Sequence, residues 1–349
     1  MRICWRILTG LATAAFVLSP PNSIAWDYEG HRAINLLALE TLPSGFPSFV
    51  LTAEARERVA FLSGEPDRWR NTKELPLRHA NLPDHYLDLE ELAMYGLNPT
   101  NLPVFRYEFV GELTRIRTEH PAWFRAADSA EDAARTQALI GLLPWTIAET
   151  YGKLQSAFSA LNAFQEHGEP EEIQNAEENV LYYMGVLGHY VGDAAQPLHV
   201  SKHYNGWVGP NPGHYTTNRT FHAWIDGGYL RATGGLDAHD LEGKLRPARR
   251  LPAMQTPDGS DGLFGEIMRF ILIQYLEVEP LYALEREGGL DATDVTGSEG
   301  RKQLEEQIVR GAQLLGDLYY SAWMNAPPDT FLMTRLVRRK LESKEENEE

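Results

Sequence analysis

Cysteine is nearly absent from this chain of 349 residues, whose only example is Cys4. A single cysteine excludes an intramolecular disulfide framework. Strand signals are scarce, and after the first 25 residues no run approaches the ~18 uninterrupted apolar residues of a membrane span. No internal repeat and no Pro/Gly/Ser-rich linker divides the chain, so we expect one domain with room for a sizeable core.

The first 25 residues have the features of a secretory signal peptide. Arg2 and Arg6 lie beside an apolar run over residues 7–18, and Ser23-Ile-Ala25 fits a small-x-small cleavage site. Cleavage would remove Cys4 and leave an exported chain without disulfides. We therefore expect a secreted or periplasmic protein, and this combination fits a bacterial periplasm or medium better than a eukaryotic secretory route.

Basic residues are in deficit as well. The chain has 32 Lys and Arg against 49 Asp and Glu, and loss of Arg2 and Arg6 would change the net charge from −17 to −19. A field of that sign repels polyanions, which taken alone argues against a nucleic-acid substrate. Bound metal ions can reverse the sign locally, so the total charge does not decide the question.

Helical periodicity is frequent along the chain. It predicts helices over residues 30–42, 53–62, 131–164 with a break or kink at Pro144, 173–195, 262–284 and 301–324. The predicted fold class is all-α, a single-domain multi-helix bundle over residues 26–334. A charged tail over 335–349 follows, either frayed or a solvated helix.

The segment 180–193 is apolar on both sides of the predicted helix. One stripe is formed by Val180, Met184, Leu187 and Val191. Tyr182 and Val186 lie on the other side, in line with His189 and Asp193. A helix of this kind is buried in the middle of a bundle. His189 and Asp193 would then be inside the protein, where polar groups need partners or a metal ion, and Pro197 should end the helix.

Two His-x-x-x-Asp pairs, His189/Asp193 and His222/Asp226, point to metal binding. Their spacing puts both side chains on one helix face. A single His-x-x-x-Asp motif is more often only a hydrogen-bonded pair of side chains. Two pairs, together with His199 after a proline, favour a multi-metal site, and imidazole with carboxylate suits zinc.

Three further segments supply candidate ligands. Trp26 would be the new amino terminus, and its amine (pKa about 7.7–8.0) can lose its proton to a metal while its carbonyl closes a chelate ring. His31 follows five residues later. Asp67 and His85 lie beside prolines, although Asp67 alone also fits a helix cap and His85 alone a satisfied core residue.

These residues together resemble a known family. The chain is similar to the trinuclear-zinc single-strand nucleases of the mung bean nuclease type, in the superfamily that also contains bacterial zinc-dependent phospholipase C. The family begins at Trp with a His five residues later, as Trp26 and His31 do. Its central His-x-x-x-Asp-x-x-Gln-Pro-x-His is matched by residues 189–199, and its last pair by His222-Ala-Trp-Ile-Asp226.

The resemblance implies three zinc ions and a hydrolytic mechanism. The implied ligand sets are Asp67, His85, His189 and Asp193; His199, His222 and Asp226; and the Trp26 amine and carbonyl, His31 and Asp193. Asp193 would bridge two ions. Two close zinc ions lower the pKa of a shared water from 15.7 toward ~7, and the resulting hydroxide attacks phosphorus.

The resemblance also implies substrate contacts. Asp67 and Arg70 would form the catalytic pair, with the Arg70 guanidinium on the scissile phosphate. A surface arginine paired with Glu65 or Glu74 is the alternative. Tyr86 would stack a base and Asp88 would contact the base edge. Plain core packing stays open for Tyr86.

Ligand spacing favours a nuclease over a phospholipase. The 23 residues from His199 to His222 and the final Asp226 match the nucleases, whereas the phospholipases have a shorter gap and a final Glu. We expect an endonuclease that cleaves single-stranded DNA or RNA to 5′-phosphorylated products, with 3′-nucleotidase activity as a further expectation. It would be monomeric, with no stable protein partner.

Two alternatives stay open. A zinc-dependent phospholipase C is the first, because residues 203–210 lack the Gly-Gly-Asn run that the nucleases have there. Tyr204, Trp207 and Tyr215 in this loop can stack bases or line a lipid-headgroup site. A non-catalytic zinc-sequestering protein is the second, and zinc content without phosphodiesterase activity would identify it.

Overall fold

The computed structural model describes residues 26–124, 132–253, 262–293 and 299–348. The predicted signal peptide, residues 1–25, lies outside these ranges. The α-helices are α1 (Tyr28–Glu40), α2 (Ala53–Leu62), α3 (Glu65–Arg70), α4 (Leu75–Asn81), α5 (Arg106–Glu119), α6 (Leu143–His167), α7 (Pro170–Ala195), α8 (Phe221–Ala223), α9 (Tyr229–Ala232), α10 (Gly262–Tyr275), α11 (Val278–Arg286), α12 (Glu299–Met324) and α13 (Thr330–Glu348). The described ranges contain isolated bridges but no strand, which confirms the predicted all-α fold class.

Helix α7 is the centre of the bundle. It packs against α6, α12, α2 and α1. Every residue from Met184 to Ala195 is buried. The helix is therefore enclosed on all sides over its last three turns, as its two apolar faces predicted.

The ends of α1 and α7 follow from local sequence. The Asp27 side chain accepts a hydrogen bond from the backbone N–H of Gly30, which caps α1. Glu169 and Glu172 form a capping box at the start of α7. Helix α7 ends at Ala195, and a 3₁₀ helix over Pro197–Val200 follows, as Pro197 predicted.

Two predicted helices were wrong in extent. Residues 132–142 are not helical, and α6 begins at Leu143 with Pro144 in its first turn. Proline is tolerated there because the first N–H groups of a helix have no internal partner. The predicted helix over 262–284 is two helices, α10 and α11, because Pro280 cannot donate to the carbonyl of Leu276.

Short segments surround the buried end of α7. They are α3, the 3₁₀ helix Leu82–His85, the 3₁₀ helix Pro197–Val200, and a π-helical turn over Trp224–Gly228 between α8 and α9. π turns occur often at functional sites.

The C-terminal helix α13 packs on α6, and its Leu336 is buried. It contains most of the charged segment 335–349. Among the helices of the described ranges, none is long and apolar enough to cross a bilayer.

Candidate metal centre

Three groups of histidine and aspartate side chains meet at the buried end of α7. In each group the ligand atoms lie within 4.8 Å of one another, so each can hold a metal ion. The groups are His31, Asp67 and His189; His85, His189 and Asp193; and His199, His222 and Asp226. All of these side chains except the partly exposed Asp67 have an exposed fraction of 3% or less. The structure thus brings together the eight side chains that the sequence singled out as ligands.

The second group is built around His85 and α7. The Nδ1 atom of His85 lies 2.8 Å from Oδ2 of Asp193 and 3.0 Å from Nε2 of His189. Asp67, on α3, places Oδ1 3.9 Å from the same Nε2. Together these four side chains, Asp67, His85, His189 and Asp193, form one of the three zinc-ligand sets that the resemblance implies.

Asp193 lies between the groups. Its Oδ2 faces His85 and His189, while its Oδ1 lies 3.5 Å from Nε2 of His31 and 3.7 Å from Nδ1 of His199. The ring of His31 stacks on His189 with centroids 4.1 Å apart. One carboxylate with ligand atoms on two sides is arranged as a bridging ligand would be.

The third group joins the end of α7 to the π turn. The Nε2 atoms of His199 and His222 are 3.1 Å apart, and Nε2 of His222 lies 3.0 Å from Oδ2 of Asp226. His222 belongs to α8 and Asp226 to the π turn, so the wider turn sets the His-x-x-x-Asp geometry here.

Backbone carbonyl oxygens fix the tautomers of three of the rings. The Nδ1 contacts are His189 to Ser63 O at 2.7 Å, His199 to His85 O at 2.6 Å and His222 to Tyr204 O at 3.0 Å. A carbonyl oxygen can only accept, so each Nδ1 carries the hydrogen. In its neutral form each ring therefore directs the lone pair of Nε2 into the site, as a metal-ligating histidine does.

Several buried atoms in the site lack hydrogen-bond partners among the described residues. They are both ring nitrogens of His31, Nε2 of His85, Oδ1 of Asp193 and Oδ2 of Asp226. Buried polar groups without partners are costly. Oxygen and imidazole nitrogen are suitable ligands for zinc and other first-row divalent ions. The residues present fit a bound metal.

Burial and neighbouring charges shift the pKa values of the ligands in both directions. Burial would lower the pKa of His189 and His222, but the Asp193 and Asp226 carboxylates beside them raise it. Burial, with the neighbouring histidines and Arg70, lowers the pKa of His31, His85 and His199 well below the usual value. These rings are therefore neutral, as a metal ligand must be. Burial also raises the pKa of Asp193 to about 6, an effect that His189 partly offsets. A cation in the site would favour the ionised carboxylate.

Gln196 and Gly192 support the ligands, and the sequence reading assigned neither a role. The Gln196 amide donates to Oδ1 of Asp226 at 2.7 Å and accepts from the backbone N–H of Leu198 at 2.6 Å, which fixes its orientation. A Cβ on Gly192 would lie 2.5 Å from Nδ1 of His31, so only glycine allows this close approach. Gln196 is the glutamine of the His-x-x-x-Asp-x-x-Gln-Pro-x-His motif, and its place in that motif could have indicated a supporting role.

The residues at the start of α1 are hydrogen-bonded to the third ligand group. The backbone N–H of Asp27 donates to the carbonyl of Asp226 at 2.9 Å, and the Asp27 carboxylate pairs with Arg231. Trp26 is fully buried and packs against Gly30. The predicted amino-terminal segment is thus held next to the metal-ligand groups.

A cavity of about 430 Å³ opens beside these groups. Its wall includes the ligands His85, His199 and His222 and the predicted substrate residues Arg70, Tyr86 and Asp88. Arg78, Thr136 and Gln137 also line it, and the sequence did not indicate them. Thr136 and Gln137 come from the 132–142 segment that was expected to be helical.

The predicted substrate residues have defined environments. Arg70 donates from Nε to Oδ1 of Asp67 at 2.6 Å, whereas Glu65 pairs with Arg68. Tyr86 and Asp88 are each partly buried. Burial, together with Glu90 and Glu91, raises the pKa of Asp88 to about 8.

Of the three loop aromatics, only Tyr204 lines the cavity. Trp207 stacks on His203 with ring centroids 3.8 Å apart and meets Tyr282 edge-on. Tyr215 donates its hydroxyl to Glu279. Trp207 and Tyr215 therefore pack the loop rather than face a substrate.

Comparisons with known proteins give no family for this chain. No protein-family profile matches it, and no curated protein does. The features that bear on its function are the buried His/Asp groups that can hold metal ions and the cavity that adjoins them.

Proposed function

We propose that the chain is a zinc-dependent phosphodiesterase, an endonuclease of the mung bean nuclease type that cleaves single-stranded DNA or RNA to 5′-phosphorylated products. The observation that carries this proposal is the position of the cavity. Its wall joins histidines of two metal-ligand groups to an arginine, an aromatic ring and a carboxyl group.

The chain would hold three zinc ions through the ligand sets named above. Zinc at such sites supplies an activated water at neutral pH and positive charge that offsets the charge of a phosphate. The protein contributes imidazoles whose Nδ1–H groups are held by backbone carbonyls so that Nε2 is presented. It also contributes Asp193, which faces two groups at once.

Arg70 would bind the scissile phosphate. It lines the cavity, and its Nε is held by Asp67, a candidate ligand, so the guanidinium is oriented relative to the metal groups. A planar guanidinium pairs well with phosphate oxygens and stabilises the charge that develops during transfer. Among the described residues of the wall, the charged side chains other than histidine are two arginines and Asp88. The described part of the wall therefore has more cationic than anionic side chains, in a chain of net charge −17.

Tyr86 and Asp88 suit a nucleobase. An aromatic ring on the wall can stack any base. Asp88, with its pKa raised to about 8, holds a proton near neutral pH and can both donate to and accept from a base edge. Gln137 adds an amide to the same wall. These hydrogen-bonding groups favour a nucleotide over the acyl chains of a phospholipid.

The amino terminus belongs to the proposal. Export and cleavage before Trp26 would free its amine to complete a third metal site with His31 and Asp193. One additional residue before Trp26 should remove one zinc ion per chain and most of the activity. Unchanged zinc content and rate in that variant would contradict the terminal-ligand assignment.

The proposal is tested with protein that begins at Trp26 and has been purified with zinc. Initial rates are compared on single-stranded DNA, single-stranded RNA and phosphatidylcholine, each with chelator, without chelator, and after zinc is restored. We expect chelator-sensitive cleavage of nucleic acid that exceeds lipid turnover. A preference for lipid would identify a zinc phospholipase C, and bound zinc without hydrolysis of any substrate would identify a non-catalytic zinc protein.

A further inference from the structure

Arg78 is a second arginine on the wall of the cavity. It lies on α4, a short helix with no buried residue that packs against α3 and the 3₁₀ helix Leu82–His85. Helix α4 therefore contributes little to the core. It does contribute a cationic side chain to the cavity that the metal-ligand groups adjoin.

The Arg78 guanidinium differs from that of other arginines near the site. Arg70 is held by Asp67, and Arg106 by Asp84 and Glu149. The Nε of Arg78 is shielded from water and has no hydrogen-bond partner among the described residues. A shielded donor without an acceptor costs free energy. An anion in the cavity would offset the charge of this guanidinium, which lies on the cavity wall.

The size and charge of the cavity fit more than one phosphate. Its volume of about 430 Å³ lies in the range of about 300–1,000 Å³ typical of sites that enclose a small organic ligand. Arg70 is already oriented toward the metal groups by Asp67. The same wall has a second guanidinium, and Asp88 is the one carboxyl that its described residues contribute. A single phosphate bound at Arg70 would leave the charge of this second guanidinium unpaired.

We propose that Arg78 binds a second phosphate of the substrate, one that is not cleaved. The inference rests on the proposed function and deepens it. The cavity then recognises two phosphates of one strand, one at Arg70 beside the metal groups and one at Arg78. Substrates with two phosphodiesters are favoured over substrates with one. A guanidinium suits this task because its fork of N–H donors matches phosphate oxygens.

The test compares two single-stranded substrates, a dinucleoside monophosphate with one phosphodiester and a trinucleoside diphosphate with two. The variants are Arg78→Gln and Arg78→Lys. Arg115→Gln is the matched control, because it removes one charge from α5, where Arg115 pairs with Glu112 and Glu119 outside the cavity wall. Thermal unfolding by circular dichroism confirms that each variant is folded.

We expect Arg78→Gln to raise KM for the trinucleoside diphosphate about tenfold while kcat changes less than about twofold, the size of effect of one charge-assisted hydrogen bond. KM for the dinucleoside monophosphate should change much less. Arg78→Lys should recover part of the loss, because it keeps the charge but not the fork. Arg115→Gln should behave as wild type on both substrates.

Binding provides a readout that does not depend on turnover. The affinity for a single-stranded phosphorothioate oligonucleotide, measured by fluorescence anisotropy against salt concentration, should show a slope reduced by about 0.7 in Arg78→Gln, as expected for one lost phosphate contact to a single strand. An equal change in KM on both substrates, or an unchanged slope, would overturn the role of Arg78 and leave the nuclease proposal standing. A wild-type protein that hydrolyses lipid and neither oligonucleotide would overturn both.

Discussion

The Nε2 atoms of His199 and His222 face each other at 3.1 Å, and each ring already donates its Nδ1–H to a backbone carbonyl. In neutral rings both facing nitrogens carry lone pairs, so they repel unless a cation lies between or beside them. Both rings are largely buried, with an exposed fraction of 3%, and a cation is the partner that suits two facing lone pairs.

Removal of metal should therefore destabilise the fold. An ion present at a thousandfold above its Kd contributes about 4 kcal/mol to the free energy of unfolding, and each kcal/mol shifts Tm of a large domain by about 2–4 °C. We expect chelation to lower Tm by about 10 °C or more and added zinc to restore it, as measured by differential scanning calorimetry. The same Tm in both states would show that the buried histidines hold no metal.

Asp193→Asn should lose metal and activity together. The carboxylate faces His85 and His189 on one side and His31 on the other. An amide has no charge to offset the ions. The loss of metal affinity should exceed the about 10–100-fold that removal of an outer hydrogen-bond partner costs. Metal content by mass spectrometry and phosphodiesterase rate are measured on the same preparation.

Asp317→Asn is the control for that variant. Asp317 is also buried, but it accepts hydrogen bonds from Arg249 and belongs to none of the metal-ligand groups. It should lower stability and keep the full metal content. Three zinc ions with full activity in Asp193→Asn would contradict the bridging assignment.

Gly192→Ala should displace His31. The added Cβ would lie 2.5 Å from Nδ1 of His31, closer than real Cβ contacts occur. Gly185→Ala is the matched variant, because Gly185 lies on the same helix, α7. Its added Cβ would lie 2.4 Å from Leu62, away from the ligand atoms. Both should lower Tm through overpacking, but only Gly192→Ala should also lose bound metal. Equal metal content in the two variants would count against His31 as a ligand.

The pKa of Asp88 predicts a pH dependence of stability. Its value rises from the usual 3.8 to about 8 on folding, so the folded state binds the proton more tightly than the unfolded state. The stabilisation is complete below the usual value and is lost as pH rises toward about 8. Urea unfolding across this range should show it.

Asp88→Asn should remove the part of the pH dependence of stability that comes from this carboxyl group. The variant should therefore gain stability relative to wild type as pH rises. Asp240→Asn, at an exposed aspartate, should keep the wild-type profile. If Asp88→Asn and wild type have parallel profiles, the carboxyl group is not buried in the way the structure shows.

The sequence predicted the parts of this fold that depend on local periodicity. The two apolar faces of α7 predicted its central position, and Pro197 predicted its end. The same reasoning failed at residues 132–142, because composition alone did not show that Pro144 begins a helix rather than kinks one. Tertiary contacts hold that segment on the cavity wall.

The candidate site also has features that the sequence predicted and features that it could not. Spacing and the resemblance found the histidines and aspartates because their residue types carry the chemistry. They could not find the carbonyl oxygens of Ser63, His85 and Tyr204, since any residue has a carbonyl group. Arg78 was missed because an arginine on a short surface helix has no distinguishing pattern, and only the fold places it at the cavity.

The hydrogen bond from Asp27 to Asp226 closes a loop of nearly 200 residues, and His31 meets α7 from the far end of the chain. Contacts of such sequence separation form slowly, after the local helices. A growing chain therefore has no complete site until residue 226 has been made and docked. Metal capture then marks the completion of folding, and a chain truncated before α8 would have at most a weak, partial site.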